Sequence, residues 1–292
     1  MTILVTGAAG QLGRECVERG TEVIGVDRQA LDLRDARAIE ETLQRLCPKA
    51  VINAAAYAAV DRAEQDPDAA FAINRDAVLG LGTACARLQI PLIHISTDYV
   101  FDGKKSAPYS EDDPVHPLGV YARSKQEGEQ ELRRVQKRHL ILRTSWVFGR
   151  YGANFVKTML RLAREKPDLR VVADQQGAPT HAGALAEVLL ALAHRAAAGE
   201  DLPWGTYHYN GQPYTNWHEF AQIIVERAVA LGLLAKPVPV RALASADYPT
   251  PAQRPENSRL DCARIHARLG VELRDWRLGL DEVLLQLKSS PA

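Results

Sequence analysis

Tyr121 and Lys125, in the run YARSK, are the residues of this sequence best suited to move a proton. A spacing of four puts both side chains on one face of a helix. A free phenol titrates near ~10, too high for efficient proton exchange at neutral pH, and a neighbouring ammonium lowers that value by stabilising the phenolate. Thr97, in STDYVFDG (residues 96–103), adds a hydroxyl that can bond the same reacting oxygen, with Asp98 beside it. A Tyr-x-x-x-Lys pair alone recurs by chance as a solvated surface pair. Its specificity comes from the rest of the chain.

The run TGAAGQLG (residues 6–13) spaces Gly7, Gly10 and Gly13 as GxxGxxG. Between a strand and a helix, such glycines permit a tight turn, close approach of backbone to a pyrophosphate, and tight helix–strand packing. The free N–H groups of the helix start then face the phosphates. Asp27 ends the next strand, where a carboxylate can bond the adenosine ribose 2′-hydroxyl, and Arg28 beside it suits a 2′-phosphate. NADH and NADPH both remain open on that pair. Asp32-Leu33 can reach the adenine, and the small residues Ala54, Ala55 and Ala56 after Asn53 let a flat ligand lie against the backbone. A hydroxyl, a phenol and a lysine at a nicotinamide site describe a carbonyl reductase.

The elements that must hold these groups alternate through the first half. Strands are expected at Ile3–Val5, Glu22–Val26, Ala50–Asn53, Leu92–Ser96 and Leu140–Thr144. Helical patterns fall at 11–19, 36–46, 67–88 and 123–137. Short apolar strands separated by helices predict an α/β fold, a doubly wound parallel sheet covered on both faces. Beyond residue 148 the texture changes. Helices are expected at 153–165, 183–198 and 217–231, strand-like runs at 169–174 and 206–210, and an irregular connection where prolines cluster from 237 to 255. This predicts a dinucleotide domain over 1–148, with 169–210 contributing in part. A smaller α/β substrate domain is expected from the C-terminal segments 149–168 and 211–292.

Across 292 residues, 36 Lys+Arg balance 36 Asp+Glu, and 46% are hydrophobic. A neutral chain lacks the basic excess of a nucleic-acid binder, and this apolar content excludes a disordered one. No apolar run reaches the ~18 residues of a membrane helix, and no signal peptide opens the chain. Cys16, Cys47, Cys85 and Cys262 form no CxxC pair and are expected to pack as small hydrophobes in a reducing cytoplasm. The eight histidines show no HExxH or HxxxH spacing, so no catalytic metal is expected.

With NAAAYAAVDRAE, RTSWVFG, NFVKTML, DQQGAPT and YPTPAQRPENSRL added to the runs above, the chain resembles the dTDP-4-dehydrorhamnose reductases of the extended short-chain dehydrogenase/reductase superfamily. The resemblance implies a Rossmann domain for NADPH or NADH and reduction of the C4 ketone of a dTDP-sugar. It makes Tyr121 the proton donor, Lys125 the nicotinamide-ribose ligand that lowers the phenol's pKa, and Thr97 with Asp98 the groups at the sugar. It sets Gly10, Gln11 and Leu12 at the pyrophosphate, Asp27, Asp32 and Leu33 at the adenosine, and Ala56, Tyr57 and Ala58 along the cofactor channel. Trp146 becomes a wall of the sugar pocket. We add Arg254 as a diphosphate ligand, through its bidentate guanidinium, and Asn154 as an amide contact to the nucleotide-sugar. Ala59 stands where relatives often carry Thr. Some members are associated with Mg²⁺ held by glutamates at a homodimer interface; Glu15 corresponds to one, and the others find no match. The competing readings are a non-catalytic NADP-binding regulatory subunit and a nucleotide-sugar epimerase on the same scaffold.

Overall fold

The structure is a computed structural model that describes residues 1–289; the last three residues of the expected 211–292 segment lie outside it. The chain opens with β1 (Ile3–Thr6), α1 (Gln11–Arg19), β2 (Val23–Val26), α2 (Ala36–Leu46) and β3 (Ala50–Asn53). Short helices α3 (Val60–Ala63) and α4 (Pro67–Phe71) follow, then α5 (Ala77–Arg87), β4 (Leu92–Thr97), α6 (Val120–Val135) and β5 (His139–Thr144). Every strand residue of β1, β3 and β5 is buried, as expected of a sheet covered on both sides.

The second half contains β6 (Val147–Phe148), α7 (Phe155–Glu165), β7 (Leu169–Val172), β8 (Gln176–Gly177), β9 (Thr180–His181) and α8 (Ala182–Ala197). β10 (Gly205–His208), β11 (Thr215–Asn216), α9 (Trp217–Ala230), β12 (Val240–Leu243), α10 (Ala263–Leu269) and α11 (Trp276–Ser289) complete it. β10 joins the main sheet, which runs β10-β5-β4-β3-β1-β2 with all strands parallel. Alternation along β1 divides the core: Ile3 and Val5 meet α1 and α8, whereas Leu4 meets α2 and α5. A separate core joins α7, α9 and α11 to β7, through Val156, Phe220, Trp276 and Val171 among others. The fold is thus a Rossmann-type sheet with a smaller C-terminal α/β subdomain.

Four readings of the sequence need correction. The proline-rich stretch expected as an irregular connection contains a strand, β12, which pairs in parallel with β7 outside the main sheet; its prolines flank the paired residues rather than interrupt them. The helix expected over 67–88 is divided by a π-helical turn, Ala72–Asp76, between α4 and α5. Helices α10 and α11 were not anticipated. Cys47 is exposed at the end of α2 in a left-handed conformation, unlike the buried Cys16, Cys85 and Cys262.

The π turn faces α6 where Gly128 is the only residue type that fits, because a Cβ there would lie 1.9 Å from the carbonyl oxygen of Asn74. Gly128→Ala should therefore cost ~1–3 kcal/mol in urea unfolding, the usual penalty for an overpacked contact. Gly80→Ala on α5, where the new Cβ would sit 3.5 Å from a flexible Ile39 methyl, should be neutral or stabilising by up to ~1 kcal/mol. Equal losses in both variants would contradict this account of the helix contact.

Candidate active site

The strand order reverses between β1 and β3, and parallel sheets bind ligands outside the carboxyl ends of strands at such a point. A cleft of about 490 Å³ opens there. Of the residues expected at the cofactor, Gly7, Gly10, Asp27, Arg28, Asp32, Leu33, Ala54, Ala55, Ala56 and Tyr57 line it. Gly7 has φ of +71°, and a Cβ on it would lie 2.6 Å from the Ala55 nitrogen, so the two strand-end loops touch backbone to backbone. Gly13 instead lets α1 rest on the turn; its Cβ would lie 2.2 Å from the Gly7 oxygen. Leu12 is core, Ala58 stands outside the lining, and the Gln11 side chain bonds the Val147 carbonyl. What Gln11 and Leu12 can offer an anion is their backbone N–H groups in the first turn of α1, which an α-helix leaves without intrahelical partners.

At the adenosine end, Asp27 Oδ1 accepts from the Gln29 and Ala30 N–H groups, which sets the turn after β2. The hydrogen bonds and charge of Arg34 hold Asp32 down at about 2. Arg34 and Arg62 also line the cleft, and the sequence carried no pattern that singled them out. The Tyr57 hydroxyl is buried and, among the described residues, has no hydrogen-bond partner. A cleft with a backbone cradle, an unpaired hydroxyl and cationic walls fits a dinucleotide.

α6 carries both Tyr121 and Lys125, the pair that the sequence singles out for proton transfer. Gly119 precedes it and brings no capping side chain, but Glu64 accepts from the Val120 N–H at 2.7 Å and fixes the helix start. Asn74, from the π turn, is a second tie. Its amide accepts from the Tyr57 N–H (2.9 Å) and donates to the Tyr57 carbonyl and the Ser124 hydroxyl (both 3.0 Å). The cofactor loop is thereby anchored to α6. Lys125 is buried, donates to the Ile95 carbonyl at 2.6 Å, and lies 3.3 Å from His94 Nε2. Burial lowers it to about 8, against the upward pull of Glu129.

The phenol departs from expectation. Burial pushes Tyr121 above its ordinary value, Thr97 acts the other way, and Asp98 and Tyr99 raise it further. Lys125 is bonded to β4 rather than to the phenol, so in the free protein it does not lower Tyr121 as anticipated. The phenol stays protonated, as a donor must. Thr97 donates to Asp98 Oδ1 at 3.0 Å, and among the described residues Asp98 Oδ2 is buried without a partner. Burial raises Asp98 to about 7, against the pull of the Ser258 and Thr97 hydroxyls.

A second cavity, about 360 Å³, lies within the smaller subdomain against α7, β7 and the start of α9, lined by Phe155, Trp217, Arg170, Tyr248 and Arg254 among others. Arg254 crosses the divide, bonding Asp61 at 2.8 Å and the Tyr99 hydroxyl at 3.1 Å. Tyr99 in turn meets Tyr121 edge to face, so Arg254 and the phenol share a wall. Trp217, missed in the sequence, lines this cavity, and Trp146 stacks on it with ring centroids 3.7 Å apart. The Asn154 side chain is engaged within the protein. It caps α7 by accepting from the Lys157 N–H, and its amide hydrogens go to Gln11 and the Gly149 carbonyl, each at 2.7 Å. The glutamate-bound Mg²⁺ also fails to fit. Glu15 is paired with Arg19, and among the described residues no three His, Cys, Asp or Glu side chains are spaced to hold a metal ion.

Residues 1–289 match the family model described as the RmlD substrate binding domain. The dTDP-4-dehydrorhamnose reductase of Aggregatibacter actinomycetemcomitans is 44% identical over 286 residues, covering 96% of this chain and 97% of that protein. The crystal structure of a dTDP-4-dehydrorhamnose reductase from Clostridium acetobutylicum superposes with a TM-score of 0.91 at 35% identity, covering 99% and 100% of the two chains. That of the Bacillus anthracis enzyme in complex with NADP gives 0.90 at 31% identity, covering 98% and 100%.

The buried Asp98 carboxyl sets a pH dependence. The folded state keeps a proton that the unfolded chain releases near ~3.9, so this group favours folding most at acid pH. That contribution falls as pH rises from about 4 and is gone above about 7. The melting temperature of the wild type relative to Asp98→Asn should drop across that window; a constant difference would place the titration elsewhere.

Proposed function

The chain belongs to the RmlD family of dTDP-4-dehydrorhamnose reductases, and on that footing we propose how its residues divide the work. The protein is an NAD(P)H-dependent oxidoreductase that reduces the C4 ketone of dTDP-4-dehydro-β-L-rhamnose to dTDP-L-rhamnose. The observation that carries this reading is the meeting of Thr97 with both Tyr121 and Asp98, beside the Tyr99 that Arg254 bonds.

When bound, the reduced nicotinamide supplies a hydride to the ketone carbon. Tyr121 gives its proton to the ketone oxygen, which the Thr97 hydroxyl orients. Lys125 holds the nicotinamide ribose, and its charge offsets the phenolate left behind. Asp98 Oδ2, protonated below about 7, donates to a sugar oxygen. Arg254 takes the diphosphate, exchanging its contact with Asp61 for phosphate oxygens. The aromatic wall of Trp217 and Trp146 lies beside the nucleotide-sugar. The cofactor occupies the 1–148 region completed by α8 and β10, and the segments 149–168 and 211–289 hold the sugar nucleotide.

We also assign the protein to the cytoplasm as a homodimer. Among the described residues no helix is long and apolar enough to cross a membrane, and all four cysteines are free, as a reducing compartment requires. Leu278 and Leu285, seven apart on α11, are 72% and 50% exposed, an apolar strip suited to a second copy. Size-exclusion chromatography with light scattering reads the mass directly against 32.1 kDa for one chain.

Tyr121→Phe should lower kcat by ~10²–10⁴-fold and leave the dissociation constant for NADPH, read by fluorescence, unchanged. Lys125→Ala should damage both. Arg254→Ala should raise the KM for the sugar nucleotide at least ~10-fold with a smaller effect on kcat. Tight cofactor binding with no turnover would favour a regulatory subunit, and recovery of oxidised and reduced cofactor in unchanged ratio would favour an epimerase.

A further inference from the structure

Arg19, the last residue of α1, bonds three glutamates at once. Nε donates to Glu15 at 2.8 Å, Nη1 to Glu187 at 2.8 Å, and Nη2 to Glu282 at 2.5 Å. The three carboxylates come from α1, α8 and α11, so one guanidinium ties the helices over the main sheet to the last helix of the smaller subdomain. The space is shaped for it: a Cβ on Gly183 of α8 would lie 2.4 Å from Arg19 Nη2. Arg274 reaches Glu187 at 2.7 Å, and Arg150 pairs with Glu18 and approaches Glu15 at 3.9 Å. Four carboxylates therefore face three guanidiniums. Magnesium needs oxygens at about 2.0–2.1 Å in octahedral array. These oxygens are splayed around a planar cation instead, each already hydrogen-bonded to a different nitrogen.

We infer that Arg19 is the resident cation of this cluster and takes the place of the glutamate-bound Mg²⁺ associated with some relatives, so that the assembly of the two subdomains here is independent of divalent metal. Removing the guanidinium would leave four carboxylates against two arginines, a deficit that one divalent ion matches. Arg19→Ala should then convert a metal-indifferent protein into a metal-responsive one. Arg19→Lys, which keeps a cation without the fork, should stay metal-indifferent.

Thermal unfolding in EDTA and in millimolar MgCl₂, with Mn²⁺ binding followed by electron paramagnetic resonance, tests this without substrate. The wild type should melt at one temperature in both buffers and bind no Mn²⁺. Arg19→Ala should melt roughly 5–10 °C lower in EDTA, regain part of that loss in MgCl₂, and bind Mn²⁺ in a way that Glu282→Gln in the same background abolishes. Should Arg19→Ala fold only when Mg²⁺ is present, the inference stands equally. It falls if the wild type loses stability in EDTA and recovers it in MgCl₂. It also falls if Arg19→Ala responds to neither.

Discussion

The buried amide of Asn74 is the joint on which the site depends. It satisfies both backbone groups of Tyr57 and reaches the Ser124 hydroxyl on α6. One side chain therefore sets the distance between the loop along the switch-point cleft and the helix that carries Tyr121 and Lys125. Its reach comes from the π-helical turn, where one extra residue shifts the side chain's direction relative to the flanking α-helices. A buried amide left half-bonded would cost ~1–3 kcal/mol, so the contact also specifies a single packing of α6. Gly128 allows that helix to approach the Asn74 backbone.

Burial governs the electrostatics of the site more than charge pairing does. The phenol and the Asp98 carboxyl are pushed up and Lys125 is pushed down, each first by desolvation. The consequence is a protonated donor, a carboxyl that changes state near neutrality, and a lysine less firmly charged than one in water. The two raised acids keep their protons near neutral pH, and Lys125, lowered only to about 8, still carries its charge there in most molecules. The chain's zero net charge does not preclude anionic ligands, because arginines are gathered locally at the two cavities. Arg28, Arg34 and Arg62 line one cleft, and Arg254 the other.

The two subdomains are held together at two electrostatic seams on separate surfaces. At one, Arg254 reaches across to Asp61 and Tyr99 beside the reacting groups. At the other, Arg19 gathers Glu15, Glu187 and Glu282. The first seam is of the kind a diphosphate can open, since phosphate competes for the same bidentate donor. The second ties α1, α8 and α11 through one guanidinium and does not depend on the first.

Much of this was legible in the residues themselves. The parallel strands, α1 with its glycine turn, Tyr121, Lys125 and Thr97 follow from local spacing, because strand, turn and helix signals are short-range. Asn154 was read as a ligand contact because its capping role and its bond to Gln11, 143 positions away, are invisible along the chain. Asn74, Glu64, Arg34, Trp217 and the glutamates around Arg19 escaped for the same reason: each acts on a partner brought near only by the packing of helices onto the sheet. The lowering of Tyr121 by Lys125 was inferred from proximity in sequence, whereas the fold directs that ammonium to Ile95 and lets desolvation decide the phenol. The sequence by itself determined which chemistry was at hand and where the chain turns. Only the tertiary structure decided strand order, which polar groups pair, and how far burial moves their protons, because those quantities depend on through-space distance and solvent exclusion rather than on spacing along the backbone.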